Sequence, residues 1–241
     1  MHLAHFQMFG LPHLVGVLAS ILFAYFMLRV NRSPSLAARK KQQINVALAW
    51  SLIISVAMDP LLIWLRFGEN PQQAQDIIRE IGLPFYLCDV VSVIMAIALM
   101  KNKQRFAEIG YLWGVAGTVQ GLITPTLTFS WDCPEYYAFF VQHGGVPAAA
   151  IALTFGSKIQ PQAGAFRRAM FWSWGYMSSV YCCNMIFGAN YGFLNGKPDI
   201  DSLFDFMGPY PWYLITLQVV AFSLYFLLLL PFRKMGKPVA S

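Results

Sequence analysis

The sequence predicts an all-α polytopic membrane protein, a bundle of seven transmembrane helices with no separate soluble domain. Three observations carry this. Of the 241 residues, 57% are hydrophobic and only 12% charged, about half the charged share of a soluble globule. The mean hydropathy is +0.52. Seven stretches are also long and apolar enough to cross a hydrocarbon core roughly 30 Å thick, which takes about 20 residues of helix.

The expected spans are roughly 12–30, 46–65, 83–100, 107–129, 135–156, 168–190 and 211–231. The first is too long for a removable signal peptide and lacks the basic leader and small-residue cleavage site of one. Short connections leave one integral domain over 1–241, with no internal repeat and no low-complexity tract. The composition excludes disorder. The net charge of +6 does not point to nucleic acid, because the cations cluster between apolar runs rather than along one face.

Those clusters set the expected orientation. Arg29, Arg32, Arg39, Lys40 and Lys41 follow span one, and Lys101, Lys103 and Arg105 follow span three. Lys158, Arg167 and Arg168 follow span five, while Arg233, Lys234 and Lys237 close the chain. The alternate loops hold only Arg66, Arg79 and Lys197, with the acids Glu69, Asp76, Glu80, Asp132, Glu135, Asp199, Asp201 and Asp205. Cytoplasmic loops carry the excess of Lys and Arg. The amino terminus is therefore expected outside and the carboxyl terminus in the cytoplasm.

With that orientation, a rise of about 1.5 Å per residue converts position into depth. Cys88 and Asp89 fall near the outer end of span three, and His143 about 12 Å into span five by the same rise. Asp59 lies two turns below the outer end of span two, in line with Ser51 and Ser55. Asn184 holds the matching depth in span six, Gln120 and Thr124 lie in the outer half of span four, and His13 lies at the mouth of span one. Intramembrane polar groups are costly, so each is a functional candidate. The inner halves are expected to be nearly free of such groups. Proline frees the carbonyl four residues before it, so Pro60, Pro125 and Pro147 would free Val56, Gly121 and His143. Gly144-Gly145 would loosen span five further.

Each candidate also has a plain reading. Free cysteine behaves as a small buried hydrophobe, His143 serves equally as an interhelical donor, and Asp59 as an interhelical link. Asp89 is about 100° around the helix from Cys88. Cys182 and Cys183 are expected in the core, and Cys133 in an outer loop open to oxidation. Gly114, Gly117 and Gly121 read as a close-packing face. There is no CxxC pair and no HExxH motif, and Asp199-x-Asp201 lacks the remainder of a calcium loop, so no metal and no cofactor are expected.

Several motifs are recognisable in order from span three to span seven. These are Leu83-Pro84-Phe85-Tyr86-Leu87-Cys88, Tyr111-Leu112-Trp113-Gly114, Gln120-Gly121-Leu122-Ile123-Thr124-Pro125 and Phe139-Phe140-Val141-Gln142-His143-Gly144. Gly188-Ala189-Asn190-Tyr191-Gly192-Phe193-Leu194, Lys197-Pro198 and Gly208-Pro209-Tyr210-Pro211-Trp212-Tyr213 complete the set. Together they resemble the YwaF-like integral membrane family of bacteria. That family looks related to eukaryotic multi-spanning acyltransferases acting on lysophospholipids through a membrane cysteine and a histidine. The resemblance implies Cys88 as nucleophile, His143 as its base, membrane lipids as acyl donor and lysolipid acceptor, and a bacterial plasma membrane.

The expected function is therefore cysteine-dependent acyl transfer between membrane lipids, or lipid hydrolysis if water replaces the acceptor. Asp59 and Asp89 are candidate orienting groups, and Gln120, Asn184 and Asn190 candidate oxyanion donors. The rival is a transporter or small-molecule-binding protein with an outward cavity. A retinal protein is disfavoured, because no span carries an interior lysine.

Overall fold

The computed structural model describes the backbone of residues 5–198 and 202–235 and the side chains of 5–198 and 202–232. Asp199, Asp201 and Lys237, and the side chains of Arg233 and Lys234, all counted in the charge asymmetry, lie outside the described residues. Among the described residues the fold is all-α, with one isolated antiparallel bridge between His5 and Phe129.

Helix α1 spans Leu11–Arg32 and has Pro12 in its first turn, where a missing N–H costs nothing. Helix α2, Ala38–Phe67, runs through Pro60 without ending. Asn70 caps the short α3, Pro71–Ile77, by accepting from the Gln73 N–H at 3.3 Å. One π-helical turn, Ile78–Gly82, and a tight turn over 83–86, with the Phe85 N–H donating to the Leu83 carbonyl at 2.8 Å, then lead into α4, Leu87–Lys101. Helix α4 stops at Asn102, which adopts a left-handed φ of 49°, a conformation asparagine tolerates. Helix α5, Gln104–Trp113, passes through a π turn at Gly114–Thr118 into α6, Val119–Ile123. Helix α7, Pro134–Ile151, α8, Ala165–Phe187, and α9, Trp212–Leu229, complete the bundle.

By length and composition, four of these helices are fit to cross a membrane: α1, α2, α7 with its trailing turn to Gly156, and α9 extended to Phe232. A fifth arises if the pair 71–82 and 87–101, bent by 72°, counts as one. Two expected boundaries are corrected. Span four does not reach 129, because α6 ends at Ile123 and the chain from Pro125 runs extended. Pro125 thus terminates a helix instead of kinking one, and frees no interior carbonyl at Gly121. Span three begins at Leu87, and the segment before it forms an additional helix, α3.

Helix α7 is the central post. The 18-residue window that qualifies it as a span is 67% buried, against 11% for α9. Its glycines explain the difference. A Cβ on Gly144 would lie 2.8 Å from Cβ of Ser20 on α1, and one on Gly145 3.0 Å from Leu52 on α2. The expectation that this pair loosens α7 is corrected: without side chains it lets α7 seat between α1 and α2. Gly114, Gly117 and Gly121 likewise abut Val146, Leu87 and His143, so the close-packing face holds.

The cysteines depart from expectation. Cys182 is exposed on α8 and Cys183 only half-buried, whereas Cys133 is buried at 3% exposure. The core expectation rested on free cysteine being a small hydrophobe, but α8 lies at the rim of the bundle, where an apolar side chain meets lipid as readily as protein.

Candidate functional site

Cys88 is the second residue of α4 and is half-buried. Its Sγ makes one weak contact, 3.9 Å to Oδ1 of Asp89, and its carbonyl accepts from Ser92 Oγ at 2.7 Å. Asp89, at the third helical position, is buried. Its Oδ2 accepts from the Tyr86 N–H at 3.2 Å, an N-terminal cap. Its Oδ1 accepts from Nε2 of the buried Gln142 at 2.8 Å. Asp89 and Gln142 thereby pin α4 to α7, and Cys88 and His143 are each the chain neighbour of one partner.

His143 is 9% exposed and stacks on Phe139, with ring centroids 3.9 Å apart. Its Nδ1 lies 3.0 Å from the Phe139 carbonyl. A carbonyl only accepts, so Nδ1 carries the proton and Nε2 holds an open lone pair. That nitrogen faces Gly121 of α6, 2.8 Å from where a Cβ would stand, so a side chain at 121 would obstruct it. Cys88 and His143 make no hydrogen bond to each other.

Asp59 of α2 is exposed by area yet lies within electrostatic reach of Cys88, Asp89 and Glu135. Glu135 pairs with Arg66, whose guanidinium sits 4.0 Å above the Phe129 ring. Charged groups of α2 and α7 therefore border the Cys88 end of the bundle.

Two candidate oxyanion donors are committed elsewhere. Asn184, 1% exposed, donates to the Tyr191 carbonyl at 2.9 Å and accepts from the Tyr191 N–H at 2.8 Å. Asn190 donates to the Gly196 carbonyl and accepts from the Asn195 N–H, each at 2.9 Å. Both hold the loop after α8, which explains their types without chemistry. Gln120 is half-buried on α6 beside Gly121. His13 is also fully employed: Nδ1 accepts from the Phe9 N–H at 2.9 Å, and Nε2 donates to the Leu122 carbonyl at 2.8 Å.

Sequence reasoning passed over three residues that build this region. Gln142 was legible as a buried amide at the depth of Asp89. Tyr191 is fully buried, and its hydroxyl donates to the Arg79 carbonyl at 2.9 Å while accepting from the Leu83 N–H at 2.9 Å. Its ring also packs edge-on against Phe85 and Tyr86. Thr118 is buried, and its hydroxyl has no partner among the described residues. It ends the π turn Gly114–Thr118 and leads directly into α6.

A second set of polar groups gathers at the opposite end of the bundle from Cys88. Asn31 and Asn45 exchange amide hydrogen bonds at 3.1 and 3.0 Å, joined by Ser157 Oγ at 3.0 Å. Glu108, 1% exposed, accepts from Arg168 through both carboxylate oxygens at 2.7 Å and from the Gln162 N–H at 3.0 Å. These groups do not bear on the expectation of nearly apolar inner halves, because Asn31, Asn45 and Ser157 lie just outside the expected spans 12–30, 46–65 and 135–156, and Glu108 and Arg168 at the very ends of theirs.

Apolar spanning helices folded around a buried polar centre define a multi-pass membrane protein. Residues 3–229 match the family model of the TMEM164 family, so the chain belongs to that transmembrane family. No curated protein and no solved structure matches it.

Proposed function

We propose that this protein is a membrane-embedded acyl-transfer enzyme acting on phospholipids or lysophospholipids, with Cys88 as nucleophile and His143 as base. The observation that carries the reading is the Nδ1–H bond to Phe139, which leaves Nε2 as an acceptor one residue from the Gln142–Asp89 tie that also positions Cys88. The resemblance to YwaF-like proteins and their acyltransferase relatives supports the same pair.

In the first half-reaction the Cys88 Sγ–H proton passes to Nε2 as sulfur attacks the ester carbonyl. The ester C–O bond then breaks, and the imidazolium returns the proton to the departing alkoxide, leaving a thioester and a lysolipid. In the second, Nε2 takes the proton of an acceptor hydroxyl, the new ester forms, and sulfur leaves and is reprotonated. No ion pair reaches Cys88 among the described residues, so deprotonation accompanies attack. The Thr118 hydroxyl and the Gln120 amide are the donors for the oxyanion, and Asp59 orients groups at the mouth.

The finer topology belongs to this reading. Seven spans, formed by α1, α2, α4, α5–α6, α7, α8 and α9, put the amino terminus outside and the basic loops in the cytoplasm of a bacterial plasma membrane. The rival transporter reading is supported less well, because buried Leu52, Met95, Val146 and Ala149 separate the Cys88 end from the Asn31 end.

Incubation with phospholipid, followed by intact-protein mass spectrometry and hydroxylamine cleavage, tests the chemistry. Wild type gains an acyl mass that hydroxylamine removes. Cys88→Ser loses it, and His143→Ala forms it about 10²–10⁴-fold more slowly. Thr118→Val loses on the order of 10²-fold in turnover if its hydroxyl serves the oxyanion. Wild-type turnover by Cys88→Ala overturns the mechanism.

A further inference from the structure

At the far end of α4 from Cys88, about 20 Å along the helix by its rise, a cleft of about 640 Å³ opens between the ends of α1, α2 and α4. That size accommodates a small ligand. Its lining includes Asn31, Lys41, Gln42, Asn45, Lys101 and Ser157, and no Asp or Glu. We infer that this cleft binds a phosphate group, carried by an anionic lipid headgroup or by a soluble phosphate compound.

The walls are built in advance. Asn31 and Asn45 lock each other, Asn31 also donates to the Met27 carbonyl at 3.0 Å, and Ser157 Oγ closes the set. The Gln42 amide donates to the carbonyls of Leu99 and Met100 at 3.1 and 3.2 Å, tying α2 to the end of α4. What remains unspent is cationic. The only hydrogen bond of the half-buried Lys41 ammonium runs at 3.4 Å to the Asn31 carbonyl, and Lys101 has no ion pair among the described residues. The second N–H of Asn45 is also open.

Lys101 ends α4, where a cation is favoured by about 0.3–1 kcal/mol, whereas Lys41 is the fourth residue of α2, at the helix end that favours an anion. The dipole accounts for the charge of Lys101, but not for Lys41, for the open volume between them or for a wall of locked amides. The contrast with neighbours is informative, since Arg39 and Lys40 are exposed whereas Lys41 turns inward. Lysine binds phosphate as a point charge, and a charge-assisted bond is about twice as strong as a neutral one. An anion is the group that such a cleft complements. The inference is independent of the acyl-transfer reading, because it uses no residue of that site.

The full-length protein in phosphatidylcholine nanodiscs tests it in two arms at fixed ionic strength. One arm titrates inorganic phosphate, and the other replaces a minority of the lipid with phosphatidylglycerol. Binding, followed by the rise in unfolding temperature and by lipid retained in native mass spectrometry, is expected in at least one arm. Lys41→Gln and Lys101→Gln are each expected to weaken it about tenfold, and the exposed Lys40→Gln to leave it unchanged. A response to inorganic phosphate identifies a soluble compound as sufficient, and a response to phosphatidylglycerol alone identifies the headgroup. If Lys41→Gln does not fold, the exposed Lys101→Gln carries the test. No response in either arm, or equal weakening by Lys40→Gln, overturns the proposal.

Discussion

At the Cys88 end, a carboxylate and several amides are absorbed in tying helices and loops: Asp89 to Gln142 and Tyr86, Asn184 to Tyr191, Asn190 to its own loop. The groups left over include the imidazole Nε2 of His143, the Cys88 thiol, the Thr118 hydroxyl, the Gln120 amide and the Asp59 carboxylate. At the Lys101 end, the amides lock one another and the groups left over are ammoniums. One end thus keeps proton-handling groups unengaged and the other keeps charge unengaged. Reactivity is located by what the hydrogen-bond network leaves over, more than by which polar residues are present.

The largest expected effect tests whether the basic end is the stiffer of the two. Glu108→Ala leaves the half-buried Arg168 without its carboxylate and the Gln162 N–H without its acceptor, which costs about 3 kcal/mol, and is expected to lower the unfolding temperature in detergent more than any change near Cys88. A larger loss from Asp89→Ala would reverse that ranking. Asp89→Ala is expected next, at about 2 kcal/mol, since it strands the Gln142 amide and uncaps α4. Asp89→Asn should recover part of the loss, because one of its two acceptors survives. Tyr191→Phe removes a single hydroxyl and is expected to cost about 1 kcal/mol, with hydrogen exchange accelerated at Leu83. The smallest effect sharpens the picture at the rim: Cys182→Ser should change stability by less than about 0.5 kcal/mol. Maleimide should label Cys182 before the buried Cys133; the opposite order would show that the rim assignment is wrong.

The membrane class was legible because hydropathy needs only length and composition, and the positions of α1, α2, α7 and α9 followed from the same signal. The end of α6 was not, because Thr124-Pro125 reads alike as a kink or a stop, and only packing decides. Cys88, Asp89 and His143 were legible as polar groups at matching depth. Their partners were less so: nothing local in Gln142 or Thr118 says which helix it faces. Asn184 and Asn190 misled for a related reason, as an amide at membrane depth has the same composition whether it awaits a ligand or pins a loop. The cluster at the Lys101 end escaped because Asn31, Asn45 and Ser157 belong to three different helix ends and each borders a basic loop.

The Tyr191 hydroxyl has a consequence for how the protein is made. The Leu83 N–H that it satisfies lies 108 residues earlier, and the Arg79 carbonyl 112 residues earlier. While the chain is being synthesised, the approach to α4 therefore waits, with backbone groups unpartnered, until α8 and the following loop have emerged. A product truncated after α7 would contain both Cys88 and His143 and still lack the clamp above them. The approach to Cys88 is fixed late in synthesis, by a segment that contributes no reactive group of its own.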